Sequence, residues 1–333
     1  DDGGERALFR IDPMRRVCLR TNAEPPQLPR GTHLLLLTRP WLSMRKYGRR
    51  GHRYAQLDTA HLAVNLLGTA LASGAEAELR LRLRRRTMRA ELGLLAVHRE
   101  PHSLLTLRPS PGAAPSGWRF RTGAARRQDD LLEELESLCW NDLPHAEREE
   151  LPGQVSPGAL VAGRGTLPMH QWPALARERR SSKGFSAGAI AVDEVVSVAG
   201  TPLPTDLEPS PRLAVDVFTP RAQDRDRLVR ACHDQEHLRH AAAFALFHTA
   251  TCTDPHLLRE DLFRAGAIGQ LLYLGATARR TGVTGVGGFN PRAWQELAGL
   301  PASREVLYLV ALGRGGDQAT KLDRAERAAA HGE

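Results

Sequence analysis

Lysine is rare in this sequence, and its three positions are therefore candidates for chemistry. All but three of the 46 basic residues are arginine, and the exceptions are Lys46, Lys183 and Lys321. A guanidinium group is planar and effectively never loses its proton, so arginine does not replace lysine where a proton-transferring amine is needed. Lys46 is followed by Tyr47, and we expect this pair to carry acid–base chemistry. The alternative is a surface lysine beside a packing tyrosine.

A second group of polar residues alternates along the chain. Arg179, Ser181 and Lys183 follow a predicted helix, and an extended segment would place these three side chains on one side. Arginine supplies a planar fork for oxyanions, serine a short donor and lysine a point charge, so the segment is suited to hold a phosphate. The other interpretation is a solvated basic helix end, because cations favour helix C-termini.

Short apolar-rich segments followed by an amphipathic helix make up the first part of the chain. Strands are predicted over Ala7–Ile11, Arg16–Arg20 and His33–Thr38. Apolar residues recur at three and four positions over Tyr54–Ala72, which predicts a helix with one buried face. His61 lies on that face and is interpreted as a core histidine.

A proline- and glycine-rich region separates the first part from the second. Residues 108–128 are typical of a loop, Asp129–Cys139 of an acidic amphipathic segment and Pro152–Pro168 of a linker. The second part is predicted to contain, in order, a helix over Met169–Glu178, a strand over Leu213–Phe218, helices over Asp224–Phe247 and Asp261–Arg279, a glycine turn over Gly282–Gly288 and a strand over Val306–Leu312.

Composition excludes several classes of protein. The 333 residues are 41% hydrophobic and suffice for about two domains, and no apolar run approaches the roughly 18 residues of a membrane helix. The four cysteines form no Cys-x-x-Cys pair, so we expect a cytoplasmic protein without a metal site. The net charge of +8 is spread over scattered arginines without a nucleic-acid-binding motif. We expect neither nucleic acid nor membrane as a partner, and an anionic ligand or an acidic peptide fits the charge.

The two parts of the chain resemble each other. In the first part the strand Leu34–Leu37 leads through a polar loop to the helix Ala60–Leu67, and in the second part Ala243–Thr249 leads to Ala265–Leu272. Each helix is followed by a strand-like segment, Leu92–His98 and Val306–Leu312. This pattern predicts a tandem of related domains. Chance similarity of two helices rich in alanine and leucine is the alternative.

Several segments resemble a known family. Arg179–Phe185 resembles the flavin-phosphate motif of the nitroreductase fold, and Ala265–Leu272 with Gly285–Phe289 resembles its core helix and the glycine turn beside the flavin. Arg45–Tyr54, followed by Asp58, His61 and Asn65, is similar to a stretch of the SagB-type dehydrogenases, which oxidise azolines to azoles in ribosomally made peptide natural products. The resemblance covers roughly residues 7–100 and 166–316 and is most specific from Lys46 to Asn65.

The resemblance implies an α+β, nitroreductase-like fold of two tandem half or full domains that form a pseudo-dimer. A degenerate, N-terminally truncated domain with the Lys-Tyr motif would span residues 1–120, an acidic helix and linker 121–165, and an FMN-binding domain 166–333. The first part has no Arg-x-Ser-x-Lys motif and the second has no Lys-Tyr pair. One site would therefore draw on both parts, within one chain, in a homodimer or together with a second polypeptide.

The resemblance also implies FMN as the cofactor. FMN has a dianionic phosphate and a flat ring, and the implied binding residues are Arg179, Arg180, Ser181, Lys183, Ser210, Gly285, Gly287, Gly288, Lys321 and Arg324. The glycines would let backbone N–H groups lie against the ring, and Lys321 and Arg324 would return to the phosphate. A purely structural glycine turn and a frayed charged tail are the respective alternatives.

The implied reaction is the oxidation of thiazolines or oxazolines to azoles in a precursor peptide. Lys46 and Tyr47 carry over as the catalytic pair that removes a ring proton, while a hydride leaves for the flavin and O₂ reoxidises it. A cyclodehydratase or another biosynthetic protein is a candidate second partner. A general NAD(P)H-dependent reductase of quinones or nitroaromatics and a non-catalytic, peptide-binding scaffold are the competing interpretations.

Overall fold

The computed structural model describes residues 6–12, 16–21, 25–26, 28–29, 31–92, 94, 99–108, 119–122, 157–158, 160 and 165–315. Its helices are α1 (Pro40–Tyr47), α2 (Arg49–Ala72), α3 (Arg85–Glu91), α4 (Trp172–Glu178), α5 (Val192–Ser197), α6 (Arg225–Ala231), α7 (Pro255–Ala278) and α8 (Pro291–Leu297). Within these residues no helix has both the length and the apolar character needed to cross a bilayer.

The described strands fall into four small sheets. They are β1 (Phe9–Asp12), β2 (Val17–Arg20), β3 (Thr32–Thr38), β4 (Glu76–Arg80), β5 (Glu100–Arg108), β6 (Arg119–Thr122), β7 (Pro157–Gly158), β8 (Phe185–Ser186), β9 (Leu203–Pro204), β10 (Leu213–Phe218), β11 (Ala243–Ala250), β12 (Gly282–Val286) and β13 (Arg304–Gly315). The sheet orders are β1-β2-β6, β3-β5-β4, β7-β9 and β10-β11-β13-β12, with β8 on the end of β13. The acidic segment predicted at Asp129–Cys139 lies outside the described residues.

The second part of the chain repeats the topology of the first. The order β3-β5-β4 matches β11-β13-β12, and all of these neighbours are antiparallel. The first pair of each sheet carries a register shift, between Leu36 and Leu37 in β3 and between Phe247 and His248 in β11. The predicted internal repeat is therefore present in the fold.

The repeat is in register from α2 to α3. Both long helices have 24 residues, both edge strands (β4 and β12) five and both short helices seven, and the second copies begin 206 residues after the first (49 to 255, 76 to 282 and 85 to 291). The prediction of a strand at Leu92–His98 is wrong at Leu92, which forms a turn after α3, and at Leu94, which lies in no strand, whereas residues 93 and 95–98 lie outside the described part. The strands are β4 and β5, and β4 was missed because its alternating sequence EAELR has only two apolar residues.

The predicted helix over Asp224–Phe247 is also wrong. The helix α6 ends at Ala231, and His233 and Asp234 adopt left-handed backbone conformations with φ of 52° and 57° that a helix cannot continue through. The chain then enters β11, which is buried along nearly its whole length. A short apolar run such as Ala241–Phe247 does not distinguish a buried strand from a helix by periodicity. By contrast, β10 has the predicted bounds, and α2, α7 and β3 lie where they were predicted.

One hydrophobic core joins the two parts. The helices α2 and α7 pack against each other, and the core contains Leu57, Val64 and Leu67 from α2 together with Ile268 and Leu271 from α7. Their close approach depends on a glycine: a Cβ atom at Gly266 would lie 2.7 Å from both the Ala60 Cβ atom and the Leu57 carbonyl oxygen. The domain boundaries proposed above stay predictions.

We predict that Gly266→Val lowers the free energy of unfolding by about 1–3 kcal/mol, the usual cost of overpacking a core. The neighbouring atoms are helix backbone and a buried Cβ atom, which have little room to move. The control is Gly158→Val, because a Cβ atom at Gly158 meets nothing within 4 Å. Urea unfolding measures both variants, and an equal stability of the two would contradict this packing.

Candidate active site

The first group of polar residues in the site surrounds Tyr273 of α7. The Ser181 Oγ atom lies 3.0 Å from the Tyr273 hydroxyl, and the Gly285 N–H donates to the same oxygen at 2.6 Å. The Arg179 guanidinium lies 5.0 Å from the centroid of the Tyr273 ring. Either hydroxyl group can donate across the Ser181–Tyr273 contact, so the Ser181 proton can also be given to a further acceptor.

The segment that carries Arg179 and Ser181 is fixed by the residue next to them. Ser182 is buried on the outer edge of β12, where its N–H donates to the Val283 carbonyl at 2.8 Å and its Oγ accepts from the Val283 N–H at 3.0 Å. The alternating side chains of Arg179 and Ser181 therefore face Tyr273. The Arg179 Nε atom is buried and has no hydrogen-bond partner among the described residues, so this donor set fits an anionic group such as a phosphate.

The other predicted cofactor-binding side chains lie elsewhere. Arg180 is exposed and donates to the carbonyl oxygens of Arg177 and Arg179 at the end of α4. Lys183 is exposed on the side of His237, whose pKa is lowered by burial and by the Lys183 charge. Ser210 accepts from the Arg212 N–H at 3.2 Å and closes the turn before β10. Lys321 and Arg324 lie outside the described residues.

A second group of polar residues in the site is connected by hydrogen bonds between α2, α7 and β13. The Gln270 amide donates to Asn65 Oδ1 at 2.8 Å, and Gln270 Oε1 lies 2.9 Å from His61 Nδ1. The glutamine oxygen therefore accepts from the His61 Nδ1–H, which leaves His61 Nε2 to accept from the Tyr308 hydroxyl at 3.2 Å. Burial lowers the pKa of His61 to about 4, so its imidazole is neutral at pH 7.

The two groups of hydrogen bonds form one cluster. The His61 ring lies edge-on to Tyr273 and Tyr308, with centroid distances of 5.6 and 5.9 Å. The Arg179 charge acts on both His61 and Tyr308, and burial raises the pKa of Tyr308 well above its ordinary value. Sequence reasoning missed Tyr273, Tyr308 and Gln270. The sequence does carry a signal for these residues: they are polar side chains inside long apolar runs, and such side chains need buried hydrogen-bond partners.

Lys46 and Tyr47 are connected to the glycine turn by Tyr54. The Lys46 Nζ atom is 5.0 Å from the centroid of the Tyr47 ring, and Tyr47 stacks edge-to-face on Tyr54 at 5.2 Å. The Tyr54 ring in turn lies 3.9 Å from the position that a Cβ atom would take at Gly287. The pair from the first part therefore reaches the glycine turn of the second part through one tyrosine.

A tight corner between α1 and α2 holds the pair in this place. Gly48 ends α1 with φ of 57°, and a Cβ atom at Gly51 would overlap the backbone of Ser43 and Met44. Arg50 then anchors the start of α2 to the turn, because its guanidinium donates to the Phe289 carbonyl oxygen and lies 4.3 Å from the Phe289 ring centroid. These glycines were absent from the predicted site, and their role is to position Tyr47.

The glycine turn presents an unused backbone donor toward the site. Along the outer edge of β12 the N–H groups of Val283 and Gly285 donate to Ser182 and Tyr273. The next N–H on that edge belongs to Gly287, which has no acceptor among the residues the structure describes. A ligand with a hydrogen-bond acceptor on its edge fits this position. The predicted role of Gly285 differs, since its N–H is occupied by Tyr273.

The internal repeat shows how the same edge is filled in the first part. Leu81 and Arg82 correspond to Gly287 and Gly288, and both N–H groups donate to the Asp206 carboxylate at 2.8 Å. Glu260 and Arg264 take the places on α7 that Tyr54 and Asp58 hold on α2, and these two residues form an ion pair at 3.2 Å, with Glu260 also paired to Arg82 at 2.9 Å. The counterpart position is thus closed by the chain's own charged side chains.

A comparison with family models matches part of the chain. Residues 204–314 match the model of the nitroreductase family. We call this matched stretch the nitroreductase-family domain. It runs from β9 to β13 and contains α7, Tyr273, the glycine turn and Tyr308. A search of the curated proteins gives no match for the chain.

Solved structures extend the likeness beyond the nitroreductase-family domain. A candidate nitroreductase from Anabaena variabilis aligns with a TM-score of 0.61 and 21% identity, over 85% of this chain and 69% of its own. The protein therefore has a nitroreductase fold of the predicted α+β class. Nitroreductase A from Vibrio parahaemolyticus (TM-score 0.37, 20% identity) aligns over 44% of this chain and 67% of its own, and the NADPH:FMN oxidoreductase from Vibrio harveyi (TM-score 0.36, 20% identity) over 44% and 69%. The SagB-type resemblance and the pseudo-dimer stay predictions.

We predict that acid destabilises this site through its buried histidine. Because the folded-state pKa of His61 is about 4 and the unfolded value is about 6.5, the unfolded chain binds more protons between these values. The histidine's contribution is complete above pH 6.5 and is lost as the pH falls toward 4. In His61→Gln the slope of unfolding free energy against pH should decrease by up to about 1.4 kcal/mol per pH unit in this window. The exposed His170→Gln is the control, and equal slopes in both variants would contradict the assignment.

Proposed function

We propose that the protein is an FMN-dependent dehydrogenase that oxidises azoline rings of a ribosomally made peptide to azoles. The observation that carries the proposal is the contact series from Lys46 through Tyr47 and Tyr54 to Gly287. This series links Lys46 and Tyr47 of the first part to the Gly287 N–H of the second, and it supports a joint role of the pair and this donor in one site. The nitroreductase-family domain supports the oxidoreductase class, and the Lys-Tyr-Gly motif supports the azoline substrate.

The residues that would hold FMN are those with unused donors. Arg179 and Ser181 would bind the phosphate, and the Gly287 N–H would bind an acceptor on the ring edge. When bound, FMN supplies the acceptor for the hydride that leaves the azoline ring. His61 and Gln270 keep the Tyr308 hydroxyl in a fixed orientation between these two ends of the site.

The proton of the azoline ring requires a separate acceptor on this chain. Tyr47 is 44% exposed and Lys46 is exposed beside it, so the pair is open to a peptide that approaches from solvent. We propose that one of the two residues takes the ring proton and that the other holds this base in position. A base must come within about 3 Å of the proton that it removes. Tyr54 supports the Tyr47 ring from behind and faces the glycine turn.

We predict that the purified protein absorbs near 450 nm and binds one FMN per chain. A single equivalent is expected because Asp206 occupies the counterpart donors in the first part. Arg179→Ala should lose most of the flavin, whereas Arg180→Ala should retain it because Arg180 contacts only backbone carbonyls among the described residues. Flavin content after desalting measures both. Unchanged content in Arg179→Ala would remove this residue from the site, and a protein that never binds flavin would be a scaffold.

We predict that Lys46→Ala and Tyr47→Phe retain flavin but reduce it slowly. General acid–base catalysis contributes about 10²–10⁴-fold, and the loss should fall in that range. Lys46→Arg should be nearly as impaired as Lys46→Ala, because arginine offers no neutral amine. The measurement is anaerobic single-turnover bleaching of the flavin by an azoline peptide. Wild-type rates in both variants would exclude the pair, and bleaching by NADPH without any peptide requirement would favour a general reductase.

A further inference from the structure

The short helix α1 presents a basic and partly apolar surface next to Lys46. We define the α1 surface as Arg39, Leu42, Arg45, Tyr47 and Arg49. All five residues are exposed, and Pro40 is the one residue of α1 that is buried. The two large hydrophobic side chains, Leu42 and Tyr47, are 47% and 44% exposed. A helix with this face turned to solvent has a surface available to a partner.

The charge of the α1 surface is not neutralised by the residues that the structure describes. Residues 25–57 contain no aspartate or glutamate. Within the described part of the chain Arg39, Arg45 and Arg49 have no carboxylate partner, whereas Arg53, one turn further along α2, pairs with Glu305 at 2.5 Å. The α1 surface is therefore a local concentration of cations that attracts an acidic ligand.

Two of these cations are held in place by an aromatic ring. The Arg39 and Arg45 guanidinium groups each lie 5.9 Å from the centroid of the Trp41 ring. Stacking on an indole restricts the long arginine side chains without consuming their hydrogen-bond donors, so less conformational entropy is lost when a carboxylate binds. The planar fork of each guanidinium remains free for a bidentate carboxylate.

We propose that the α1 surface binds an acidic segment of the peptide substrate that flanks the azoline ring. The inference rests on the proposed function, because Lys46 and Tyr47 belong to the same helix and a peptide whose ring lies at this pair must pass over α1. Aspartate or glutamate side chains of the peptide pair with Arg39, Arg45 and Arg49. An apolar side chain of the peptide packs on Leu42 and Tyr47. The surface thereby selects substrates whose ring neighbours are acidic and apolar.

A binding experiment without chemistry tests the surface. The probe is a fluorescein-labelled 12-residue peptide with four glutamates and one central leucine but no azoline, compared with a peptide in which glutamine replaces each glutamate. The flavin-loaded protein should bind the acidic peptide at least tenfold more tightly at low salt, and the difference should shrink in high salt, as expected for exposed charges. Fluorescence anisotropy gives both dissociation constants. Equal affinities would overturn the proposal.

Charge reversal locates the binding site. Arg45→Glu/Arg49→Glu should weaken binding of the acidic peptide at least tenfold, while the matched control Arg86→Glu/Arg177→Glu, which changes two exposed arginines on α3 and α4, should weaken it less than twofold. Leu42→Ser should weaken binding several-fold for the peptide with leucine but not for a peptide with serine at that position. If the glutamate double variant does not fold, Arg45→Gln/Arg49→Gln replaces it. An equal loss in the control double variant would overturn the assignment to α1.

A turnover experiment separates this inference from the proposed function. With an azoline in the acidic peptide, Arg45→Glu/Arg49→Glu should raise KM at least tenfold and leave kcat and flavin content within twofold. Oxidation with the same KM for acidic and neutral peptides would overturn the α1 surface while the dehydrogenase stands. Tight, α1-dependent peptide binding without any azoline oxidation would do the reverse. Tighter binding of single-stranded DNA than of the peptide, with the same dependence on Arg45 and Arg49, would overturn the choice of partner.

Discussion

The packing of α2 against α7 is the contact on which the rest of the site depends. Each helix comes from a different part of the chain, and each supplies polar residues to the same cluster. The contact is close because Gly266 of α7 faces Ala60 of α2, and Gly269 leaves room for two rings: a Cβ atom at Gly269 would lie 2.8 Å from Tyr308 and 3.0 Å from His61. With a larger residue at this position the histidine could not reach Gln270 and Tyr308 together. The apolar burial of the two helices therefore also determines the geometry of the hydrogen bonds.

The two copies of the internal repeat have the same backbone arrangement but different side chains at the end of the edge strand. At the end of β4 two N–H groups are satisfied by Asp206, and the helix face behind them carries a salt bridge. At the end of β12 the corresponding position is a glycine turn, and the helix face opposite carries Tyr54 and His61. The first copy supplies the Asp206 carboxylate as the acceptor, whereas the Gly287 N–H of the second copy has no acceptor among the described residues. The two copies therefore share one topology and differ in the side chains that surround the end of the edge strand.

The arginines of the chain differ in whether a carboxylate lies next to them. Arg53 is paired with Glu305, and the buried Arg264 is paired with Glu260. Those on α1 lack a carboxylate partner among the described residues and stack on Trp41 instead. The arginines of the α1 surface therefore form a region without carboxylate partners among the described residues, and this region adjoins the proposed catalytic pair. The charge of the whole chain indicated an acidic partner, and the fold places the cations that would meet it.

The sequence by itself determined the features that depend on local pattern. The 3.6-residue period of apolar residues located α2 and α7, and short apolar-rich segments located β3 and β10. The similarity of the two parts indicated the repeat. The alternation of Arg179 and Ser181 placed both side chains on one side, because that follows from extended backbone alone. The tertiary structure decided the rest: it directed Arg180 to the carbonyl oxygens at the end of α4, occupied the N–H of Gly285 with Tyr273 and closed the counterpart site with Asp206. The last two outcomes depend on contacts between residues far apart in the chain, and local sequence carries no information about which distant atom satisfies a buried polar group.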